Sequence, residues 1–277
     1  MRYGFRTKIL FLQKSDPQEN IKMNYTVAAE TDIGISKKVN QDSICVKNAR
    51  TEKGRAALVM ICDGMGGLSK GELASAEVVR SFSDWFDCEL AYELENWSWR
   101  DAGQSVLNRL KKLNARIIGY GQRNGVQLGT TVTGIIAVNN NMMTFHIGDS
   151  RIYKLSYRIK QLTEDHTFVN SELKKGNMTS EQAKRDPRRN ALTQCIGVSG
   201  DITPEIKFGT IESGANYLIC SDGFRHVITE EEIFGGLSPK LVTTGSSMKA
   251  KLRELIETVK SRKEQDNISA VMFRAEY

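Results

Sequence analysis

Arg55-Ala56-Ala57-Leu58-Val59-Met60-Ile61-Cys62-Asp63-Gly64-Met65-Gly66-Gly67 is an apolar run that stops at an aspartate set among glycines. Leu58 to Ile61 reads as a buried strand. An aspartate at the end of such a strand is poorly suited to packing. It is well suited to presenting a carboxylate at the rim of a sheet, where glycine lets backbone approach a ligand. Three glycines in four positions are costly in chain entropy, which argues for a ligand site rather than a plain turn. The pattern is neither a phosphate-binding Walker loop, since Lys70 is not followed by Ser or Thr, nor the dinucleotide fingerprint.

The same arrangement recurs in Gly148-Asp149-Ser150-Arg151, Ser221-Asp222-Gly223 and Asp266-Asn267, each following or opening an apolar run. Several hard oxygen donors of this kind suit Mg²⁺ or Mn²⁺. Asp42, in Asn40-Gln41-Asp42-Ser43, reads by itself as an Asx turn. His146, His166 and His226 lack metal-ligand spacing and read as structural or surface residues. Gly-x-Ser-x-Gly is absent and no cysteine fits a nucleophile signature, so nucleophilic catalysis has no support.

Outward from the opening run, short strands are expected at 25–30 and 43–47. A helix from Gly71 is expected to bury Leu73, Ala76, Val79, Phe82 and Phe86. A second is expected from an Asp101 N-cap, with Val106, Leu110, Leu113 and Ile117 on one face. Strands at 130–138, 142–147 and 151–155, joined by Asn139-Asn140-Asn141 and Gly148-Asp149-Ser150, read as an antiparallel meander. Residues 165–189 are polar and partly helical, 217–220 is a buried strand, Met248, Leu252, Leu255, Ile256 and Val259 mark a helix, and 268–273 is the last strand. Antiparallel strands with helices held apart from them give an α+β layered fold. Residues 24–277 are read as one domain, and 1–23 as a disordered extension whose apolar patch, Ile9 to Leu12, is too short for a signal peptide.

The chain of 277 residues is 40% hydrophobic and 26% charged, with four prolines and a net charge of +6. That mild basicity fits an anionic partner without singling out nucleic acid, and no nucleic-acid signature occurs. No stretch reaches the roughly 20 apolar residues of a membrane span. Five cysteines without Cys-x-x-Cys fit a reducing, cytoplasmic setting, with Cys45, Cys62 and Cys220 as buried thiols.

Taken in order, the motifs resemble the metal-dependent protein phosphatases, the PPM or type 2C family, in its bacterial branch. The matching stretches are Asp32-Ile33-Gly34 through Asn40-Gln41-Asp42, the Asp63 cluster with Gly71-Glu72-Leu73-Ala74-Ser75, and Gly129-Thr130-Thr131. Gly148 to Tyr153, Leu162 to His166, Asn190-Ala191-Leu192-Thr193, Ser221-Asp222-Gly223 and Asp266-Asn267-Ile268 complete the set. The resemblance implies a four-layer αββα sandwich, two central antiparallel β-sheets flanked by helices. It implies two Mn²⁺ or Mg²⁺ ions, with Asp63 bridging them, the Gly64 carbonyl on one, and Asp42, Asp222 and Asp266 completing the ligands. It also implies in-line attack on phosphoserine or phosphothreonine by a metal-activated hydroxide, without a covalent phosphoenzyme. Asp63 and Asp222 would thus be catalytic, and a serine/threonine kinase of the same cell would supply the phosphoprotein substrates. A monomer is expected.

Three departures qualify that resemblance. Lys37 stands where the family has its phosphate-binding arginine, which keeps the charge but loses the two-pronged grip. Gln41 replaces a glutamate that holds a metal-bound water. A third metal site would use Asp149 and a second aspartate, but His226 occupies that second position, leaving Asp149 to the turn or to Arg151. Residues 171–189, with Lys174, Lys175, Lys184, Arg185, Arg188 and Arg189, match the family's flap. They read either as a solvated charged face or as a collar for acidic phosphoproteins. Two other functions share these residues: a non-catalytic phosphoprotein-binding relative, and a metal-dependent phosphoesterase acting on nucleotides.

Overall fold

The computed structural model describes residues 23–65, 70–96 and 98–277. The expected extension therefore lies outside the described residues, except Met23, which is buried in the core. The strands are β1 (Asn24–Asp32), β2 (Ser43–Thr51), β3 (Gly54–Cys62), β4 (Val132–Val138), β5 (Asn141–Ile147), β6 (Arg151–Leu155), β7 (Ile159–Gln161), β8 (Glu205–Thr210), β9 (Asn216–Cys220) and β10 (Ile268–Glu276). The helices are α1 (Gly71–Cys88), α2 (Leu90–Glu93), α3 (Trp99–Asn124), α4 (Phe168–Lys174), α5 (Ser180–Arg185), α6 (Asp222–Arg225), α7 (Glu230–Leu237) and α8 (Gly245–Ser261).

Two five-stranded antiparallel sheets form, ordered β1-β10-β9-β6-β7 and β2-β3-β4-β5-β8. Side chains alternate across a strand, so each central strand feeds two cores. From β3, Ala57, Val59 and Ile61 meet Tyr217, Ile219, Val271 and Phe273 between the sheets. Leu58, Met60 and Cys62 face the other way, onto α1 and α3. Met272 and Ala270 of β10 likewise pack with Met248, Leu252 and Val259 of α8. Burial on both faces explains why β3 reads as an unbroken apolar run. The expected αββα layering is what these three cores build.

Four local expectations are corrected. The buried face of α1 is Ala74, Val78, Phe82, Trp85 and Phe86, while Leu73 is 42% exposed and Ala76 and Val79 are half-buried. The sheet contact selects the stripe through Trp85, one residue round from the stripe through Leu73. Helix α3 is capped by Ser98, whose hydroxyl accepts from the Asp101 N–H, so Asp101 lies inside the first turn. Asn141 pairs with Val138, which shortens the hairpin turn to Asn139-Asn140, with Asn139 at φ 53°. The meander does not continue past β5: β6 joins β9 in the other sheet, and β5 pairs instead with β8. Gly148, at φ 115°, turns the chain from one sheet to the other. The strands β7 and β8 and the helix α7 were not anticipated.

Candidate metal centre

One end of the sandwich gathers the acids. Asp63 leaves β3, Asp42 enters β2, Asp222 leaves β9, Asp266 enters β10, and Asp149 sits between β5 and β6. A cleft of about 470 Å³ opens between the sheets, lined by Asp63, Asp149, Asp222 and Asp266, with Met65, Thr131, Asn190, Leu192, Cys195 and Val198. Asp42 is buried beside Ser221 and Ser269 rather than on this lining.

The backbone around Asp63 is held on all sides. The Asp63 N–H donates to Thr131 Oγ1 (3.0 Å), and the Asp63 carbonyl accepts from the Thr131 N–H (2.8 Å) and Thr130 Oγ1 (2.9 Å). The Gly64 N–H donates to the Gln41 carbonyl at 3.1 Å. A Cβ on Gly64 would stand 2.5 Å from that carbonyl oxygen and 2.6 Å from the Gly71 carbonyl oxygen. Glycine is required there so that β3, the 41–42 turn and the start of α1 can meet. Gly66 and Gly67 lie outside the described residues.

The electrostatics are those of crowded like charges. Burial, then the fields of Asp42, Asp222 and Asp149, hold the Asp63 carboxyl well above the usual carboxylate range. Burial pushes Asp42 up to about 7, against the nearby Ser269 and Ser221 hydroxyls, with Asp222 and Asp266 adding to the rise. Burial and Asp222 raise Asp149 to about 7 despite Arg225. Among the described residues, both carboxylate oxygens of Asp42 and Oδ1 of Asp222 are buried without a hydrogen-bond partner of good geometry. Orphaned acceptors of this kind are costly and fit a cation. Among the described residues, no three acidic, histidine or cysteine side chains form a compact ligand cage. Asp63, Asp149, Asp222 and Asp266 are spread as a ring around the cleft, with Asp42 buried behind it.

Lys37 reaches this acidic ring, with Nζ 2.9 Å from Asp266 Oδ1. Burial opposes its charge, but the Asp266 contact and the fields of Asp63 and Asp222 outweigh burial and raise its pKa. Gln41 turns away, its amide donating to Glu72 at 3.3 Å. The Asx-type bond near Asp42 is made by Asn40, whose Oδ1 accepts from the Asp42 N–H, leaving the Asp42 carboxylate free of the turn.

A match to the family model for protein phosphatase 2C spans residues 35–272. The chain belongs to the protein phosphatase 2C family. It is 31% identical over 255 residues to a putative protein phosphatase 2C-type protein of Streptococcus pyogenes, covering 90% of this chain and 97% of that one. Its fold is similar to the serine/threonine phosphatase of S. agalactiae, with a TM-score of 0.78, 28% identity, and 91% and 99% of the two chains covered. It is also similar to the PstP catalytic domain solved in complex with two manganese ions, with a TM-score of 0.75, 26% identity, and 92% and 100% covered.

This phosphatase 2C member carries three site features that the motifs did not disclose. Asn267 is a clamp: its Oδ1 accepts from the Gln41 N–H (2.9 Å), and its Nδ2 donates to the carbonyls of Ile33 (2.9 Å) and Val39 (3.2 Å). It thereby fixes the loop carrying Lys37 to the turn carrying Asp266. Arg225 donates to the Asp149 carbonyl at 2.9 Å and lies 3.8 Å from its carboxylate. Asp149 therefore stands beside Arg225, not Arg151, which grips Asp165 in a two-pronged pair. An arginine three residues after Asp222, within one helical turn, was the available signal. His226 is not a detached surface residue, since Nε2 is 3.3 Å from Asp222 Oδ2 and Nδ1 is 3.5 Å from Glu264. His146 and His166 are structural, with rings 4.9 Å apart and His146 bonded to Thr133. Cys45, Cys62 and Cys220 are buried as expected, and burial pushes the Cys45 thiol up to about 11.

Proposed function

We propose that this member of the protein phosphatase 2C family is a metal-dependent protein serine/threonine phosphatase. Asp42, Asp63, the Gly64 carbonyl, Asp222 and Asp266 would hold two divalent cations, Mn²⁺ or Mg²⁺. The observation that carries this reading is the set of three buried carboxylate oxygens, two on Asp42 and one on Asp222, that make no hydrogen bond of good geometry among the described residues. Two such cations would supply a water of lowered pKa and neutralise phosphoryl charge.

The protein's own residues do the rest. Lys37 stays protonated beside Asp266 and offers its ammonium to a phosphate oxygen at the cleft. Asn267 keeps that lysine and Asp42 in register with Asp266. Arg225 balances Asp149 with a fixed positive charge, which supports a two-cation rather than a three-cation site. No nucleophilic side chain is needed. Phosphoserine and phosphothreonine proteins marked by a kinase of the same cell are the substrates. The five free cysteines, four of them buried, support a reducing compartment such as the cytoplasm. Among the described residues, no helix is long and apolar enough to cross a membrane.

The test is phosphate release from a phosphothreonine peptide with and without Mn²⁺. Release should require the metal and fall on the order of 10³-fold in Asp63→Asn and in Asp222→Asn. A wild-type protein that binds the peptide but releases no phosphate would make it a non-catalytic binding relative. Faster turnover of a phosphodiester would point to nucleotide chemistry.

A further inference from the structure

The cleft is lined by acids, and apolar side chains stand exposed both on its lining and on the neighbouring loop whose Lys37 reaches Asp266. On the β1–β10 side, the loop that carries Lys37 exposes Ile33 (39%), Ile35 (50%) and Val39 (51%). On the β3–β4 side, Val198 is 49% exposed and lines the cleft with Leu192 and Met65. Exposed apolar residues elsewhere, such as Tyr92, Tyr157 and Leu241, stand singly, and single exposures need no explanation. Three within seven positions, beside a catalytic cleft, do.

The Lys37 loop is pinned in this conformation. The Gly34 N–H donates to Asp32 Oδ1 at 2.8 Å, Asn267 holds the Ile33 and Val39 carbonyls, and the Ser36 hydroxyl bonds to Gln265. These bonds fix the backbone that carries Ile33, Ile35 and Val39. Ile33, Ile35, Val39 and Val198 are all β-branched and stiff at χ1, so covering them costs little side-chain entropy. Four of the six basic residues in the segment near the cleft stand in ion pairs, which lessens what it offers an acidic partner. Lys174 pairs with Glu164, Lys175 with Glu172, Lys184 with Glu181 and Arg188 with Asp186.

We propose that the preferred substrate is a phosphorylated segment with apolar side chains on both sides of the phosphoresidue, seated on Ile35 and Val39 of the Lys37 loop and on Val198 of the cleft lining. This rests on the phosphatase reading and names the substrate class of the same site. An acidic segment drawn by the basic collar is the rival it displaces.

Two phosphothreonine peptides decide it, identical except for leucines or glutamates flanking the phosphoresidue, each assayed with Mn²⁺. The leucine peptide should show kcat/KM about tenfold higher in the wild type. The ratio should fall to within about threefold in Ile35→Ser/Val39→Ser, and separately in Val198→Ser. The ratio is read on one preparation, so partial misfolding of a variant cancels, and the wild-type ratio alone is already a test. Equal rates, a preference for the glutamate peptide, or a ratio untouched by both variants overturns the proposal and leaves the phosphatase reading standing. Dimerisation abolished by Ile35→Ser/Val39→Ser, with the ratio unchanged, would assign the surface to a second copy of the chain. Absence of turnover on every phosphopeptide overturns the phosphatase reading itself, and this proposal with it.

Discussion

The two ends of the sandwich treat polar groups in opposite ways. At the end away from the cleft, the β4–β5 turn is tied to the β2–β3 turn and to β1: Asn139 Oδ1 accepts from the Arg55 N–H (3.0 Å), its Nδ2 donates to the Lys53 carbonyl (2.8 Å), and Tyr25 donates to its carbonyl at 2.5 Å. At the cleft end, carboxylates are buried together, raise one another's pKa values, and leave oxygens unpartnered. One end is arranged for stability. The other gives up stability at the carboxylates proposed above to hold cations.

Substitutions at the two ends should therefore change stability with opposite signs. The largest effect is expected from Asp42→Asn, measured by urea unfolding in the presence of a chelator. The folded pKa of Asp42, about 7, lies well above the ordinary aspartate value of ~3.9. The folded state thus binds the extra proton more tightly, and the stability this group contributes below pH ~4 is lost as pH rises through ~7. The variant should be more stable than wild type by up to roughly 4 kcal/mol above pH ~7, with the gain vanishing near pH ~4. A destabilised variant at pH ~8 would break the contrast between the ends.

Asn267→Ala sharpens it within the cleft end, by removing the clamp while leaving every carboxylate in place. kcat/KM should drop about 10- to 100-fold, with weaker Mn²⁺ binding seen by calorimetry. A change confined to thermal stability would reduce Asn267 to a packing residue. At the end away from the cleft, Asn139→Ala loses two hydrogen bonds and puts alanine at φ 53°. It should cost about 1–2 kcal/mol in denaturant unfolding and leave kcat/KM unchanged. The smallest effect is expected from Lys37→Arg, which restores a two-pronged phosphate grip. KM for a phosphopeptide should fall about threefold with kcat retained, and a raised KM would mean that the Asp266 contact needs the compact ammonium.

Much of this contrast was legible from residue order. The strand-end aspartates announced themselves because an acid beside glycine at the end of an apolar run has no packing role, and the helix face of α3 followed from its period. The stripe on α1 was misread because Leu73 and Val79 are as apolar as Val78, and only the sheet underneath selects between adjacent stripes. The edge strand β8 was missed because its exposed, mixed residues carry little period-two signal. The sheet change at Gly148 was missed because a turn sequence gives the reversal and not the partner that the next strand will find.

Residue order alone settles which carboxylates stand at strand ends, the helices and central strands, and the family. Those are local matters, set by periodicity, glycine placement and motif order. Packing settles which oxygens are left unpartnered among the described residues, that Asn267 ties the Lys37 loop to the Asp266 turn, that Arg225 rather than Arg151 faces Asp149, and that the Lys37 loop exposes apolar side chains. Each of these joins residues up to 234 positions apart, as Asn267 and Ile33 are. The separation is bridged by the pairing of β1 with β10 and by the packing of one sheet on the other, which no local pattern encodes.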